Sequence, residues 1–185
     1  MPLRLAHIVL QTNRLSEMKQ WYQSVLATRV VFESPSATFM TFDDEHHRLA
    51  LVAMPDLVER TSRTVGMMHS AYTFPALHEL LIRYRKLKAV GIEPVVPIQH
   101  GVTTSMYYRD PDSNLVELQI DNFATAEAAT AYMQGAEYAA DSAGPTYDPE
   151  VMATALEAGT PMDELTSRAW AAQFPQIDVR ARLMG

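Results

Sequence analysis

The feature that most constrains the fold of this chain is an internal repeat of one strand–helix–three-strand pattern. The first copy runs from a strand near the N-terminus through an amphipathic helix to three further strands, and the second copy restarts the same order near residue 67. His7 and His69 stand at the start of the two copies, and Tyr22 and Tyr84 are separated by the same offset. The sequence therefore predicts an α+β fold of paired βαβββ modules.

The composition changes after Asn122, where an alanine-rich helical pattern begins. We predict modules at about residues 1–56 and 66–123, which together form a domain of residues 1–123. Residues 124–185 are predicted to form a C-terminal helical extension. Its predicted helices cover residues 124–140, 150–158 and 161–172.

Composition and charge exclude several classes of function. The chain of 185 residues has a net charge of −7, which argues against nucleic acid or an anionic membrane surface as partner. It contains no cysteine, so disulfides, thiolate metal sites and cysteine nucleophiles are excluded. No apolar run is long enough to span a bilayer, and the first residues lack a signal-peptide pattern. We expect a cytoplasmic protein that acts on a small molecule.

A predicted β-hairpin near the end of the second module carries a carboxylate in an unusual place. The turn Asp110–Asn114 separates two apolar runs, and Pro, Asp, Ser and Asn are typical turn residues. Side chains alternate along the second strand, so Glu117 lies opposite the apolar stripe of Val116, Leu118 and Ile120. A carboxylate in such a place is solvated, paired or bound to a metal.

Two histidines are the candidate partners of Glu117. A single histidine in a strand is usually structural, but His7 and His69 hold equivalent positions in the repeat. Two imidazoles and one carboxylate can form the facial triad of non-haem Fe(II) oxygenases. We therefore predict a metal site of His7, His69 and Glu117, with manganese and zinc left open by the ligand types.

Other histidines and tyrosines receive weaker predictions. Tyr107 lies on the strand that pairs with that of Glu117, where packing and a role in the site are equally compatible with the pattern. His100, next to a glycine at a strand end, is a candidate proton shuttle near neutral pH. His46 and His47 stand in an acidic turn and are predicted to be solvated.

Three motifs occur in a fixed order and carry a family resemblance. They are His7-Ile8-Val9-Leu10, His69-Ser70-Ala71-Tyr72-Thr73-Phe74 and residues 107–118, YYRDPDSNLVEL. The chain resembles the vicinal oxygen chelate superfamily, which includes glyoxalases, bleomycin resistance proteins and type I extradiol dioxygenases. It is most similar to single-domain extradiol dioxygenase-like members. The resemblance implies a cupped mixed sheet around one divalent metal held by His7, His69 and Glu117.

The resemblance also implies the catalytic residues. Extradiol dioxygenases carry a tyrosine ten positions before the ligand glutamate, and Tyr107 stands at that position. His100 resembles an active-site histidine of single-domain members. Ser113 departs from the family, which usually has glycine at this place in the turn. We expect Tyr107 and His100 to be the catalytic residues.

The resemblance leaves the reaction open between oxygen activation and redox-neutral chemistry. Aligning the two modules places Ala50 opposite Glu117, whereas four-ligand lyases of the family have a ligand there. This absence favours an Fe(II) dioxygenase that cleaves a catechol with O2. One alternative is a glyoxalase-like lyase or isomerase with Mn(II), Zn(II) or Ni(II). The other is an antibiotic-resistance protein that binds an antibiotic or transfers a thiol to it.

The extension carries apolar positions that need a surface to cover. They are Phe123, Tyr132, Met133, Leu156, Leu165 and Trp170. The sequence predicts that they cover the backs of the sheets or a second subunit. We expect a homodimer or a higher homo-oligomer.

Overall fold

The computed structural model describes residues 3–61 and 64–184, so residue 1 of the predicted domain and residue 185 of the predicted extension lie outside the described part. The chain divides into two compact units. The first contains residues 1–64 together with the turn at residues 110–114, and the second contains residues 65–109 and 115–185. The extension after residue 123 is thus grouped with the second module. The predicted domain boundaries stay a prediction.

The first unit is one βαβββ module. Its elements are β1 (Ile8–Thr12), α1 (Leu15–Leu26), β2 (Arg29–Ser34), β3 (Ala37–Thr41) and β4 (Leu49–Ala53). The strands form a four-stranded mixed sheet in the order β1-β4-β3-β2, in which β1 and β4 are parallel. The buried face of α1 carries Met18, Tyr22 and Val25 at the spacing of helical turns.

The second unit repeats this module and then adds the extension. Its repeated elements are β5 (His69–Thr73), α2 (Leu77–Lys88), β6 (Val96–Gln99), β7 (Thr103–Arg109) and β8 (Leu115–Asp121). The sheet order is β5-β8-β7-β6, with β5 and β8 parallel. The α+β class and the paired βαβββ modules are confirmed, and each module forms its own four-stranded mixed sheet.

The extension is more broken than predicted. Its helices are α3 (Ala126–Met133), α4 (Ala136–Ala140), α5 (Pro149–Glu157), α6 (Met162–Leu165), α7 (Arg168–Ala171) and α8 (Val179–Met184). The predicted helix over residues 124–140 is wrong, because Gly135, a weak helix former, separates α3 from α4. The predicted helix over residues 161–172 is likewise two short helices. None of the helices in the described part of the chain is long and apolar enough to cross a membrane.

Ion pairs and buried side chains hold the extension to the second module. Arg85 on α2 pairs with Glu150 and Glu157 on α5, and Lys88 Nζ lies 3.1 Å from Glu150. Leu165 and Trp170 are buried within this unit. The apolar positions of the extension are therefore covered in part by their own unit.

The strand register of the two sheets makes the modules equivalent residue by residue. Val9 pairs with Ala50 in the first sheet, and Ala71 pairs with Glu117 in the second. This confirms the alignment of Ala50 with Glu117. Ala50 is buried and carries no donor atom, so the first module has no protein ligand at that position.

The turn at residues 110–114 packs against α1 within the first unit. Tyr22 donates a hydrogen bond of 3.0 Å to the buried Asp110 carboxylate, and Arg14 Nε lies 3.0 Å from Asp112. Asparagine is a favoured N-cap residue, and the pattern predicts Asn13 as the cap of α1, but the structure does not place it there. The cap position is Arg14, whose N–H donates to Thr12 Oγ1 at 2.9 Å.

Replacing Ser113 by glycine is expected to stabilise the protein. Ser113 has a φ of 66°, in the left-handed region that is strained for residues with a Cβ. Relief of this strain exceeds the extra entropy of an unfolded glycine, so we expect a gain of about 0.5–1 kcal/mol in the free energy of unfolding. Chemical denaturation of both proteins measures it. Ser36→Gly is the matched control, since Ser36 lies in the β2–β3 turn without a positive φ. A loss of stability in Ser113→Gly would contradict the strain.

Candidate active site

A histidine and a carboxylate meet on the second sheet. His69 begins β5 and Glu117 lies on the parallel neighbour β8, so both side chains are fixed by the same ladder. His69 Nε2 lies 3.1 Å from Glu117 Oε2. The Glu117 side chain is only 6% exposed, whereas that of His69 is 33% exposed. A carboxylate so deeply buried needs a partner, and His69 supplies one.

The electrostatics of this pair favour a charged carboxylate. Burial works to raise the pKa of Glu117, but hydrogen bonds from His69 and Ser105 outweigh it and the pKa is lowered. The hydrogen bond to Glu117 in turn raises the pKa of His69 against the effect of burial. His69 Nδ1 is buried and has no hydrogen-bond partner among the described residues. An imidazole and an ionised carboxylate in contact form a donor set that suits a first-row divalent cation.

Tyr107 and His100 form a second pair beside the first. Tyr107 lies directly opposite Glu117 in the β7–β8 ladder. Its hydroxyl lies 3.1 Å from His100 Nε2. The Tyr107 ring stands nearly perpendicular to the rings of His69 and His100, with centroids 5.4 and 6.0 Å away. The four side chains predicted on the second module therefore lie next to one another.

Burial sets the protonation states of the second pair. It raises the pKa of Tyr107 far above the ordinary value, and the neighbouring Glu117 carboxylate raises it further. Burial also lowers the pKa of His100. At neutral pH the phenol is thus protonated and the imidazole is neutral. In this state Tyr107 can donate its hydrogen bond to a lone pair of His100 Nε2.

The backbone around His100 is fixed by a buried polar network. The Gln99 side-chain carbonyl accepts hydrogen bonds from Gly101 N and from Asn122 Nδ2, at 2.9 and 2.8 Å. Asn122 Nδ2 also donates to the Gly101 carbonyl at 2.9 Å, and Gln99 Nε2 donates to Thr104 Oγ1 at 2.7 Å. Because these groups satisfy one another directly, the network holds the loop that carries His100 in this conformation.

The fifth predicted residue, His7, lies in the first unit just before β1. The next residue, Ile8, donates a hydrogen bond from its N to Arg48 O at 3.0 Å. This bond begins the pairing of β1 with β4. Within either unit taken by itself, the described residues contain no group of three histidine or carboxylate side chains that could hold a metal. The trio of His7, His69 and Glu117 draws on both units and stays a prediction.

The sequence pattern did not indicate the ring contacts that His47 makes. Its ring lies 4.2 Å from the His7 ring and stacks on Phe39 at 5.0 Å, both measured between centroids. Phe39 in turn contacts Phe32 at 5.2 Å. The prediction that His47 is solvated therefore holds only in part, because its ring is half-buried, whereas its neighbour His46 is exposed. No periodic signal points to His47, because it stands in a turn before β4.

The pKa of His47 also reflects this environment. Burial and the nearby His7 lower it below the ordinary value.

Comparison with known proteins places the chain in a family. The model of the glyoxalase/bleomycin resistance protein/dioxygenase superfamily matches residues 4–118. This span runs from before β1 into β8 and contains all five predicted site residues. The chain belongs to this superfamily, as the motifs predicted.

Two curated relatives narrow the class. Biphenyl-2,3-diol 1,2-dioxygenase 3 of Rhodococcus globerulus is 56% identical over 98% of this chain and 96% of its own length. Biphenyl-2,3-diol 1,2-dioxygenase 2 of the same organism is 55% identical over 91% of this chain and 89% of its own length. The chain is an enzyme of the extradiol dioxygenase type, which cleaves the ring of a catechol.

The solved structures support the fold. A genomically encoded fosfomycin resistance protein from Listeria monocytogenes, in complex with Mn(II) and sulfate, covers 71% of this chain and 98% of its own. The TM-score is 0.55 at 21% sequence identity. At this identity the likeness concerns the arrangement of the modules and carries no statement about the reaction.

Proposed function

We propose that this enzyme uses a divalent metal, Fe(II), to cleave a catechol that carries a second aromatic ring. The metal would be held by His7, His69 and Glu117. The observation that carries the proposal is the contact between His69 and Glu117 beside the His100–Tyr107 pair. The aryl substituent is proposed because both relatives above half identity are named for biphenyl-2,3-diol.

The residues present fit such a metal. Nitrogen and carboxylate oxygen donors suit Fe(II), and the buried Nδ1 of His69 lacks a partner among the described side chains. Ala50 supplies no fourth donor, so three protein ligands would leave positions for the substrate and O2. When bound, the metal would supply a site at which both reactants meet and at which O2 can be reduced by the catechol.

The chain's own residues supply the proton transfers and the orientation. The neutral imidazole of His100 can accept a proton from a catechol hydroxyl and return it later. With substrate bound, the phenol proton of Tyr107 would turn from His100 Nε2 toward oxygen atoms that gain charge, which leaves the Nε2 lone pair free to accept the catechol proton. In the overall reaction the carbon–carbon bond beside one hydroxyl-bearing carbon breaks, and both atoms of O2 enter the product. No other oxidant is needed.

Oxygen uptake and product colour test the proposal. The protein is reconstituted with Fe(II) under nitrogen, mixed with biphenyl-2,3-diol or with unsubstituted catechol, and then exposed to air. We expect a yellow product, one O2 consumed per substrate, and a higher kcat/KM for the diol with the second ring. Zinc should not replace iron. Activity with zinc or nickel toward a thiohemiacetal, with no diol consumed, would instead establish the lyase alternative.

Tyr107→Phe is expected to lower kcat by about ten- to a thousandfold while metal content and substrate binding are retained. The variant keeps the ring that packs against Val96 and Ile98 but removes the hydroxyl that contacts His100. Single-turnover kinetics and metal analysis measure the two effects separately. Tyr108→Phe is the control, since Tyr108 is buried on the opposite face of β7. A wild-type kcat in Tyr107→Phe would remove the hydroxyl from the mechanism.

Assembly and location are further parts of the proposal. We retain the homodimer or higher homo-oligomer, supported by the exposed apolar side chains of Val9 and Phe32 on the first sheet. Light scattering at micromolar concentration tests it, and a monomer would contradict it. The cytoplasmic location stays a prediction from composition, to be tested by cell fractionation.

A further inference from the structure

The helical extension carries a row of three aromatic rings that the chemistry above does not use. Phe123 lies 5.2 Å from Tyr132, and Tyr132 lies 5.8 Å from Tyr138, both between ring centroids. The Tyr132–Tyr138 contact is edge-to-face, a favourable arrangement of aromatic rings. All three side chains are half-buried. Exposed apolar surface is unfavourable in water, so half-exposed aromatic rings in a row suggest that they contact another apolar group.

The middle ring of the row, that of Tyr132, lies against the loop that carries His100. The Tyr132 ring and hydroxyl occupy the space in which a Cβ on Gly101 would stand. Gly101 has a φ of 84°, so both its backbone conformation and its surroundings require glycine. The Tyr132 hydroxyl is buried and has no hydrogen-bond partner in the described part of the chain. The extension therefore forms part of the surroundings of His100.

Tyr138 stands at one end of the row, with its ring centroid 5.8 Å from that of Tyr132. The Tyr138 phenol is close enough to contribute to the raised pKa of Tyr107, after burial and the Glu117 carboxylate. Its own hydroxyl makes no hydrogen bond with the residues that the structure describes. Tyr138 thus lies near the predicted catalytic tyrosine with an unused polar group and a half-exposed ring.

The break between α3 and α4 is what brings Tyr138 to this place. In one continuous helix, residues six positions apart would point about 120° away from each other. The turn at Gly135 lets the rings of Tyr132 and Tyr138 meet instead. A single long helix over the same residues would lose this contact.

Several contacts fix α4 and the segment that follows it. Arg168 pairs with Asp141 at 2.6 Å, and its Nη1 donates to the Asp141 carbonyl at 2.7 Å. Further on, Gln99 N donates to Pro145 O at 2.8 Å, which ties the segment to the edge of β6. Gly144 packs so closely on Gln99 that a Cβ there would collide with its carbonyl. These contacts fix the end of α4 and the segment after it, within a few residues of Tyr138.

We propose that Tyr138 is a specificity-determining residue, whose ring packs against the aryl group that the substrate carries on its catechol ring. The proposal rests on the proposed function and names the residue that would select the second ring. A flat aryl group suits a tyrosine ring in edge-to-face or offset contact. The catechol ring itself would react beside the His69–Glu117 pair and the Tyr107–His100 pair.

Steady-state kinetics with two substrates test this inference. In Tyr138→Ala, we expect KM for biphenyl-2,3-diol to rise roughly tenfold, because the contact with the second ring is lost. The kcat/KM for unsubstituted catechol should stay within about twofold of the wild type. Tyr138→Phe keeps the ring and should match the wild type with both substrates within about twofold.

A second readout does not depend on turnover. Calorimetric titration under nitrogen should show the same tenfold loss of affinity for biphenyl-2,3-diol, and none for catechol, in Tyr138→Ala. Met133→Ala, an exposed change on α3, is the matched control and should change nothing. Metal content and thermal unfolding are measured for every variant.

The outcomes separate this inference from the proposed function. If the wild type cleaves neither diol, the proposed function fails. If the wild type prefers the diol with the second ring and Tyr138→Ala keeps that preference, the role of Tyr138 is refuted. An equal loss with both substrates would also refute it, because it would indicate a structural role.

Discussion

Replacing Glu117 by alanine is expected to abolish metal binding and to lower ring cleavage by at least about a thousandfold, or about 4 kcal/mol in the activation barrier. The carboxylate is buried on a sheet strand, and no other carboxylate or histidine joins the His69–Glu117 contact among the described residues of this unit. His69 alone would bind a divalent cation weakly. Metal analysis after reconstitution with Fe(II), together with oxygen uptake, measures both losses.

Two further variants make the result specific. Gln119→Ala changes a half-exposed residue on the same face of β8 and removes only its hydrogen bond to Thr73, so metal and activity should persist. Glu117→Gln keeps the shape of the side chain and should lose the metal as the alanine variant does, since an amide is a weaker ligand. Full metal content in a folded Glu117→Ala protein would exclude this carboxylate from the site.

Replacing His100 by glutamine is expected to lower kcat by about a hundredfold to ten-thousandfold while the metal is retained. Glutamine can keep a hydrogen bond to Tyr107 but cannot accept a proton at neutral pH. His100 lies on a loop fixed by Gln99 and Asn122, so we expect the fold to tolerate the change. Stopped-flow measurements of substrate deprotonation and of product formation check the assignment.

The dependence of kcat/KM on pH provides a second test of the role of His100. A base must be unprotonated to act, and burial places the pKa of His100 below the ordinary value of 6.5. The fall of kcat/KM on the acid side should therefore lie below pH 6.5 in the wild type and should disappear in His100→Gln. His78→Gln, a change on the exposed face of α2, should leave the profile intact. An unchanged acid limb in His100→Gln would assign it to another group.

Local pattern was enough for much of the fold. The spacing of apolar residues predicts a helix over residues 15–26 and a strand over residues 103–109, and α1 and β7 have these bounds in the structure. Here the periods of 3.6 and 2 are carried by the buried side chains themselves, and turn residues close the elements. The errors occur where that signal is weak. The helix over residues 124–140 reads as continuous because alanine favours helix on both sides of Gly135, and only a single glycine interrupts it.

The internal repeat also made part of the candidate site predictable from the sequence. In both modules the first strand pairs in parallel with the last. The sequence alone therefore identified Ala50 as the residue equivalent to Glu117, and His7 as the residue equivalent to His69. Parallel pairing fixes the register for every residue of the strand, so one correct alignment positions all of them. Motif order then indicated Tyr107 and His100, which lie together as expected.

Only the tertiary structure decided what surrounds these residues. His47 lies against the rings of His7 and Phe39, and Tyr138 lies against that of Tyr132, although no periodic signal indicated either contact. Both positions depend on how a turn or a short helix folds back, and that is determined by distant contacts such as the pairing of Arg168 with Asp141. A sequence specifies its strands and their register through neighbours a few residues apart. The turns and helix ends that complete the site are positioned by residues far along the chain, whose contacts no local pattern contains.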